Sequence, residues 1–198
     1  MRKKPRYQKI MRLLLTALIF FAAMIATRAE EMDTNEVFEH INGRTFTFAS
    51  GVGAWSTEMT MGEKGSFSGS FYDADMGDSG DGYPDGTLYA CHFFGMFAEV
   101  ETLDPYTYVL RLTALSLKEA VGVEQIVGDM RVISAEAYGM QGGDIFLLCY
   151  PGRETASLPA EFLEWIRMPN AWDEVPAILP CYGLYNVNAE TGFFSHTD

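Results

Sequence analysis

Five aspartates lie within one glycine-rich segment, at positions 73, 75, 78, 81 and 85. Calcium takes about six to eight oxygen ligands in flexible geometry, many of them carboxylates. Intervening glycines would let the segment curl so that Asp73, Asp75 and Asp78 converge on one Ca²⁺ ion, and these three are the candidate metal ligands. The glycine and terminal glutamate of an EF-hand loop are absent. The simpler interpretation, which we prefer from the sequence alone, is a solvated loop without metal.

A second set of candidate residues is aromatic and recurs at strand spacing. Its members are Trp55, Phe67, Phe71, Phe94, Phe97, Tyr106 and Tyr108. Side chains of this kind either fill a small barrel or line a cavity that holds one small ligand. For a hollow barrel we predict a small apolar ligand bound by residues such as Trp55, Phe71 and Tyr108. The alternative is a packed core.

Other chemistries have little support in the sequence. The histidines are His40, His92 and His196, far apart in the chain and without transition-metal spacing. The nucleophile-elbow motif of hydrolases and the two glycine-rich nucleotide-binding motifs do not occur. Acidic residues are so numerous that a pair suited to glycoside hydrolysis carries no information. We therefore expect a non-enzymatic protein, with a cell-surface hydrolase as the weakest alternative.

Three cysteines occur, Cys91, Cys149 and Cys181, and an odd number leaves at least one thiol unpaired. One interpretation is three buried, unpaired side chains that act as small hydrophobic residues. The other is a single bridge between Cys149 and Cys181, each of which neighbours a tyrosine and a proline.

The amino terminus has the three parts of a secretory signal. A basic leader precedes an apolar run at 13–26, and small residues follow up to Ala29. A membrane-spanning helix needs about 20 apolar residues, more than this run contains. The sequence predicts a signal peptide at 1–29 and a secreted or extracellular protein, with no stable membrane span after cleavage.

Charge limits the partners of the remaining chain. The full sequence has a formal net charge of −13, and residues 1–29 contain seven basic residues and no acid. Without residues 1–29, the chain contains seven Lys and Arg and 27 Asp and Glu, which gives a formal net charge of −20. Nucleic-acid binding depends on neutralising phosphates with basic side chains, so we exclude it. Anionic lipid is disfavoured for the same reason.

The elements that must position these residues are mostly strands. Alternation of apolar and polar residues at 55–61 and 66–71 is typical of strands with one wet face. Short helices are predicted at 33–41 and 158–166, and about eight or nine strands fill the rest. The sequence therefore predicts one all-β domain with minor helix at 30–198, either an antiparallel β-barrel or a two-sheet β-sandwich.

Three short glycine-aromatic runs resemble known sequences. The run INGRTF at 41–46, with GAW at 53–55 and GSFSG at 65–69, resembles the entry of lipocalin-like (calycin) proteins. Segments 46–97 and 179–188 are also similar to exported proteins of Gram-positive bacteria. The resemblance implies a lipocalin-like barrel and, by analogy of fold alone, a binding role.

The sequence thus favours an exported, non-enzymatic module that binds a small apolar ligand or a partner at the cell surface. The alternative is a structural or adhesion domain that Ca²⁺ stabilises through the aspartate segment.

Overall fold

The computed structural model describes residues 33–170 and 172–195. All described residues belong to one compact unit. The predicted signal peptide and His196 lie outside the described residues. Among the described residues, no helix is long and apolar enough to cross a membrane.

Two short α-helices and ten strands succeed each other along the described chain. The helices are α1 (Thr34–Ile41) and α2 (Ala160–Arg167). The strands are β1 (Thr45–Ala49), β2 (Trp55–Met61), β3 (Ser66–Asp75), β4 (Thr87–Asp104), β5 (Thr107–Leu117), β6 (Glu124–Val127), β7 (Met130–Ser134), β8 (Ile145–Cys149), β9 (Tyr182–Asn186) and β10 (Thr191–Ser195).

Eight of the ten strands close into a barrel. Their order is β3, β2, β1, β10, β9, β8, β5, β4, and β3 pairs again with β4. Every pairing around this ring is antiparallel. Because the ring closes, the prediction of a lipocalin-like antiparallel barrel is confirmed, and the two-sheet sandwich is wrong.

Aromatic side chains fill the barrel interior. Phe46, Phe48, Phe97, Phe146 and Phe193 are each 0 % exposed to solvent, so no water-sized space remains beside them. The alternation predicted for β2 is confirmed, since Met59 and Met61 are buried while Glu58 is exposed. A continuous aromatic core of this kind stabilises the fold through apolar burial and offset ring contacts.

Two predicted core aromatics, Phe94 and Tyr106, instead lie on the surface, where they are 54 % and 45 % exposed. Phe94 sits between Phe93 and Phe97, which both point into the barrel. Because β4 is apolar on both faces, its sequence did not reveal which face turns inward.

Helix α1 covers one end of the barrel, which we call the helix end. Its apolar face places Val37, Phe38 and Ile41 in the barrel core. Tyr150 donates a hydrogen bond from its hydroxyl to the carbonyl of Val37, at 3.4 Å. The opposite end, where β2 begins and β3 finishes, is called the loop end.

Helix α2 packs against the outside of the barrel, and the ring of its Trp165 also lies 4.8 Å from that of Phe48 and 6.1 Å from that of Trp55. Phe162 and Ile166 form a second core with Tyr185 and Phe194 on the outer face of β9 and β10. Both faces of β10 are therefore covered, which explains why all five of its residues are buried.

Strands β6 and β7 form an arm outside the barrel. β7 pairs in parallel with Thr87–Ala90 of β4, and β6 pairs with β7 alone. β7 therefore lies outside the closed ring of eight strands. β6 was not predicted, because its four residues are all exposed and carry no period.

The three cysteines are buried and unpaired. The interpretation as buried hydrophobic residues is confirmed, and the bridge between Cys149 and Cys181 is absent. Burial raises the pKa of Cys149 to about 12 and that of Cys181 to about 11. Both thiols are therefore neutral and poorly nucleophilic at physiological pH.

Candidate functional site

A pocket of about 390 Å³ opens at the loop end of the barrel. It lies over the aromatic core, between the ends of β2, β3 and β4 and the loop at 135–143. Its lining consists of Trp55, Phe71, Asp73, Tyr89, Ala135, Glu136, Tyr138 and Gln141. The volume and the mixture of aromatic and polar groups are typical of a small-ligand site.

One wall of the pocket is a row of three residues on neighbouring strands. Asp73 of β3 is paired with Trp55 of β2 on one side and with Tyr89 of β4 on the other. Residues directly opposite each other on paired strands point to the same face. Phe71, two residues before Asp73, shares that inward face and forms the pocket floor.

The rings at this end contact one another closely. The centroid of Tyr138 lies 5.1 Å from Trp55, 5.2 Å from Phe48 and 5.9 Å from Phe71. Trp55 and Phe48 are separated by 4.7 Å. These tilted and edge-on contacts fix the orientation of the aromatic walls, and each stabilises its pair by about 1 kcal/mol.

Hydrogen bonds to the barrel hold the backbone of the loop at 135–143. Thr57 donates its hydroxyl to the carbonyl of Tyr138 at 2.8 Å. Thr191 and Asn186 both donate to the carbonyl of Gly139, at 2.9 and 3.1 Å. Because these donors belong to strands, the rim of the pocket is fixed before any ligand arrives.

The pocket is acidic. Its lining includes two carboxylates, Asp73 and Glu136, and no Lys, Arg or His. Neither carboxylate takes part in an ion pair among the described residues. Gln141 also contributes a buried side-chain oxygen, Oε1, that has no hydrogen-bond partner within the described part of the chain.

The predicted ligand-binding residues do not all meet at this pocket. Trp55 and Phe71 line it, but Tyr108 lies at the helix end, 2 % exposed, with its ring 5.0 Å from that of Tyr150. The Tyr108 hydroxyl donates to the carbonyl of Pro105 at 3.3 Å, and burial raises its pKa. Tyr108 therefore belongs to the packed core and not to this pocket.

Five pocket residues were not indicated by the sequence, namely Tyr89, Ala135, Glu136, Tyr138 and Gln141. Tyr89 is paired with Asp73 and therefore lies on the same face of the sheet as Phe71. The pairing of β3 with β4 would thus have identified Tyr89 as inward-facing. Tyr138 lies in a glycine-rich loop, where no period marks a side chain as inward-facing.

The three predicted calcium ligands are placed in different surroundings. Asp73 faces the pocket, whereas Asp75 Oδ1 accepts hydrogen bonds from the backbone N–H groups of Gly77 and Asp78, at 2.9 and 3.1 Å. The carboxylate of Asp78 forms an ion pair with Arg131. Among the described residues, no group of three or more His, Cys, Asp or Glu is arranged to hold a metal ion. The calcium site stays a prediction.

Arg131 provides a positive charge to the aspartate segment through its ion pair with Asp78. Its Nε donates to the hydroxyl of Thr87 at 3.0 Å, and its guanidinium lies 4.6 Å from the ring centroid of Tyr83. Thr87 in turn donates to the carbonyl of Asp78 at 2.9 Å. The arginine comes from β7, so the segment and the arm are fastened to each other.

No protein-family profile, curated protein or solved structure matches this chain.

Proposed function

We propose that this chain is an exported, non-enzymatic binding module that holds a small ligand with a flat apolar group in the pocket at the loop end. The ligand is still small and apolar, as predicted from the sequence. The proposed site is the pocket at the loop end and not the barrel interior, which aromatic side chains fill. Trp55, Phe71, Tyr89 and Tyr138 are the proposed contacts.

The observation that carries this proposal is a set of aromatic faces around an open volume, on a rim that hydrogen bonds hold in place. A ligand that enters such a site orders few side chains, because the rings and the loop are already fixed. Preorganisation of this kind improves affinity by reducing the entropic cost of binding.

An amide NMR titration with phenethyl alcohol tests the proposal, since this neutral probe has a flat ring and is soluble. We expect saturable shifts at the ends of β2, β3 and β4. Tyr138→Ala removes one ring but keeps the backbone carbonyl that Thr57 holds. Loss of about 1 kcal/mol of ring contact should weaken the affinity about fivefold.

Phe94→Ala is the matched control, because Phe94 is an exposed aromatic residue on the outer face of β4. The Phe94→Ala variant should bind the probe with the same affinity as the wild-type protein. Shifts that do not saturate, or that map to the outer face and weaken in Phe94→Ala, would show that the pocket is not the binding site.

A second candidate function, binding of a protein partner, is favoured by the arm. β6 pairs with no strand on its outer side among the described residues. Ile126 and Val127 on β6 are 54 % and 55 % exposed, and Val121 and Val123 before it are 54 % and 50 % exposed. An apolar edge with free backbone groups is suited to pairing with an extended segment.

Charge indicates what kind of segment the edge would accept. The described residues contain seven Lys and Arg against 24 Asp and Glu, a net charge of −17. Glu124 lies within β6, and Glu119 and Asp129 flank it. The occupant we propose is an extended, basic segment of another protein, because a second copy of this acidic chain would be repelled.

A synthetic peptide of alternating Lys and Val tests this second candidate, with a Glu and Val peptide as control. Val123 accepts a hydrogen bond from Ser134 of β7, so by alternation the backbone N–H of Ile126 points outward. Ile126→Pro removes that outer donor and should abolish binding of the basic peptide. Equal binding of the acidic peptide, or dimerisation of the protein in ultracentrifugation, would contradict it.

A further inference from the structure

The placement of Asp73 bears on the ligand class, and the reasoning rests on the function proposed above. Asp73 lies between Trp55 and Tyr89 on the wall of the pocket. A ligand that stacks against both rings must therefore cover the carboxylate between them. The chemistry of that contact decides which ligands the pocket accepts.

Covering Asp73 with a neutral apolar group is unfavourable. The carboxylate of Asp73 is half-buried and reaches water. An apolar ligand would displace that water and leave a charged group without a partner, which costs free energy. No basic side chain lines the pocket, so the protein supplies no compensation.

A positively charged ligand removes this cost. An ammonium group beside Asp73 replaces the displaced water with an ion pair, and its hydrogens are also attracted to the faces of the flanking rings. Gln141 offers a further acceptor, because its Oε1 has no partner within the described residues. Glu136 at the rim adds a second negative charge.

We infer that the pocket selects an organic ammonium ligand, in which a flat apolar group is joined to an amine by a short linker. Neighbouring residues on paired strands have their Cβ atoms about 5 Å apart, so ring and amine must be separated by a similar distance to contact Trp55 and Asp73 together. Phenethylamine has that spacing and is the probe.

Three probes with nearly the same size separate charge from apolar contact. They are phenethylamine, phenethyl alcohol and hydrocinnamate, which are cationic, neutral and anionic. We expect phenethylamine to bind about tenfold more tightly than the alcohol, and hydrocinnamate to bind most weakly. Added salt should reduce the preference for the amine, because one contact is an ion pair.

Asp73→Asn tests the assignment directly. It keeps the size of the side chain and removes its charge, so the amine and the alcohol should bind within about twofold of each other. Glu58→Gln is the matched control. Glu58 is exposed on the outer face of β2, and its loss changes the net charge equally without altering the pocket.

The outcomes separate this inference from the function on which it rests. If both probes saturate the pocket but the alcohol binds as tightly as the amine, the preference for a cation is wrong and the apolar site stands. If Asp73→Asn and Glu58→Gln reduce the preference equally, the general charge of the protein causes it and the inference also fails. If no probe binds, the proposed function fails as well.

Discussion

The rim of the pocket depends on a glycine, and replacing it tests the interpretation of the loop end. Gly139 has a φ of +89°, in the region that side chains rarely adopt. A Cβ atom there would lie 2.7 Å from the ring of Phe48 and 3.0 Å from that of Phe193. Both rings are fully buried and have no space into which to move.

Gly139→Ala should therefore destabilise the protein by two separate effects. The left-handed backbone costs an L-residue about 1–2 kcal/mol. Overpacking against two buried rings adds about 1–3 kcal/mol. Gly142→Ala is the matched control in the same loop, with a φ of +92° but only Ala189 Cβ nearby, at 3.6 Å. Gly142→Ala should lower the free energy of unfolding through backbone strain alone, by about 1–2 kcal/mol.

Denaturant unfolding of the two variants measures the difference, with the thermal midpoint as a second measure at about 2–4 °C per kcal/mol. Gly139→Ala should also weaken phenethyl alcohol binding, because displacement of its Cα moves the neighbouring Tyr138 out of the aromatic wall. Equal destabilisation by the two substitutions would refute the proposed packing of the rim against Phe48 and Phe193.

Three further predictions concern the rest of the molecule. The contribution of Cys149 and Cys181 to the free energy of unfolding should be constant below about pH 9 and fall as the pH rises from 9 towards 12, because burial raises the pKa values of both thiols above the ordinary 9.0. Titration of thiols should detect three after denaturation and almost none before. Arg131→Met should lower the thermal midpoint and speed proteolysis of the aspartate segment, whereas Arg111→Met, whose ion pairs are more exposed, should lower the midpoint less. Thermal midpoints in EDTA, Ca²⁺ and Mg²⁺ should agree, because Asp78 already has a cationic partner. A rise specific to Ca²⁺ would support the predicted calcium site instead.

The barrel was predictable because strand alternation is a local property of the sequence. In segments such as 55–61 and 66–71, the alternation of apolar and polar residues alone indicates one buried face. The closure between β3 and β4 was not local, but a barrel was one of two architectures compatible with that many short strands. The pairing itself decided between them.

The site was less predictable because the pairing register of the strands, and not proximity in the sequence, brings its residues together. Tyr108 has the same spacing as the other aromatics, yet strand direction carries it to the helix end. Asp73 looked like part of an acidic loop, whereas β3 continues to Asp75 and turns Asp73 inward. The partner of Asp78 is Arg131, on a strand 53 residues away, and no local pattern connects them.

The difference between the two barrel ends explains why binding is assigned to one of them. At the helix end, α1 inserts Val37, Phe38 and Ile41 into the core, and entry there would require removing buried apolar surface. At the loop end, the cover is a loop held by its backbone, so the pocket beside it stays open without any loss of core packing. A charged side chain on an inward-facing strand position is tolerated only at such an opening, because water still reaches it. The carboxylate of Asp73 therefore marks the loop end as the solvated mouth of the barrel, which is why we propose the cationic ligand there.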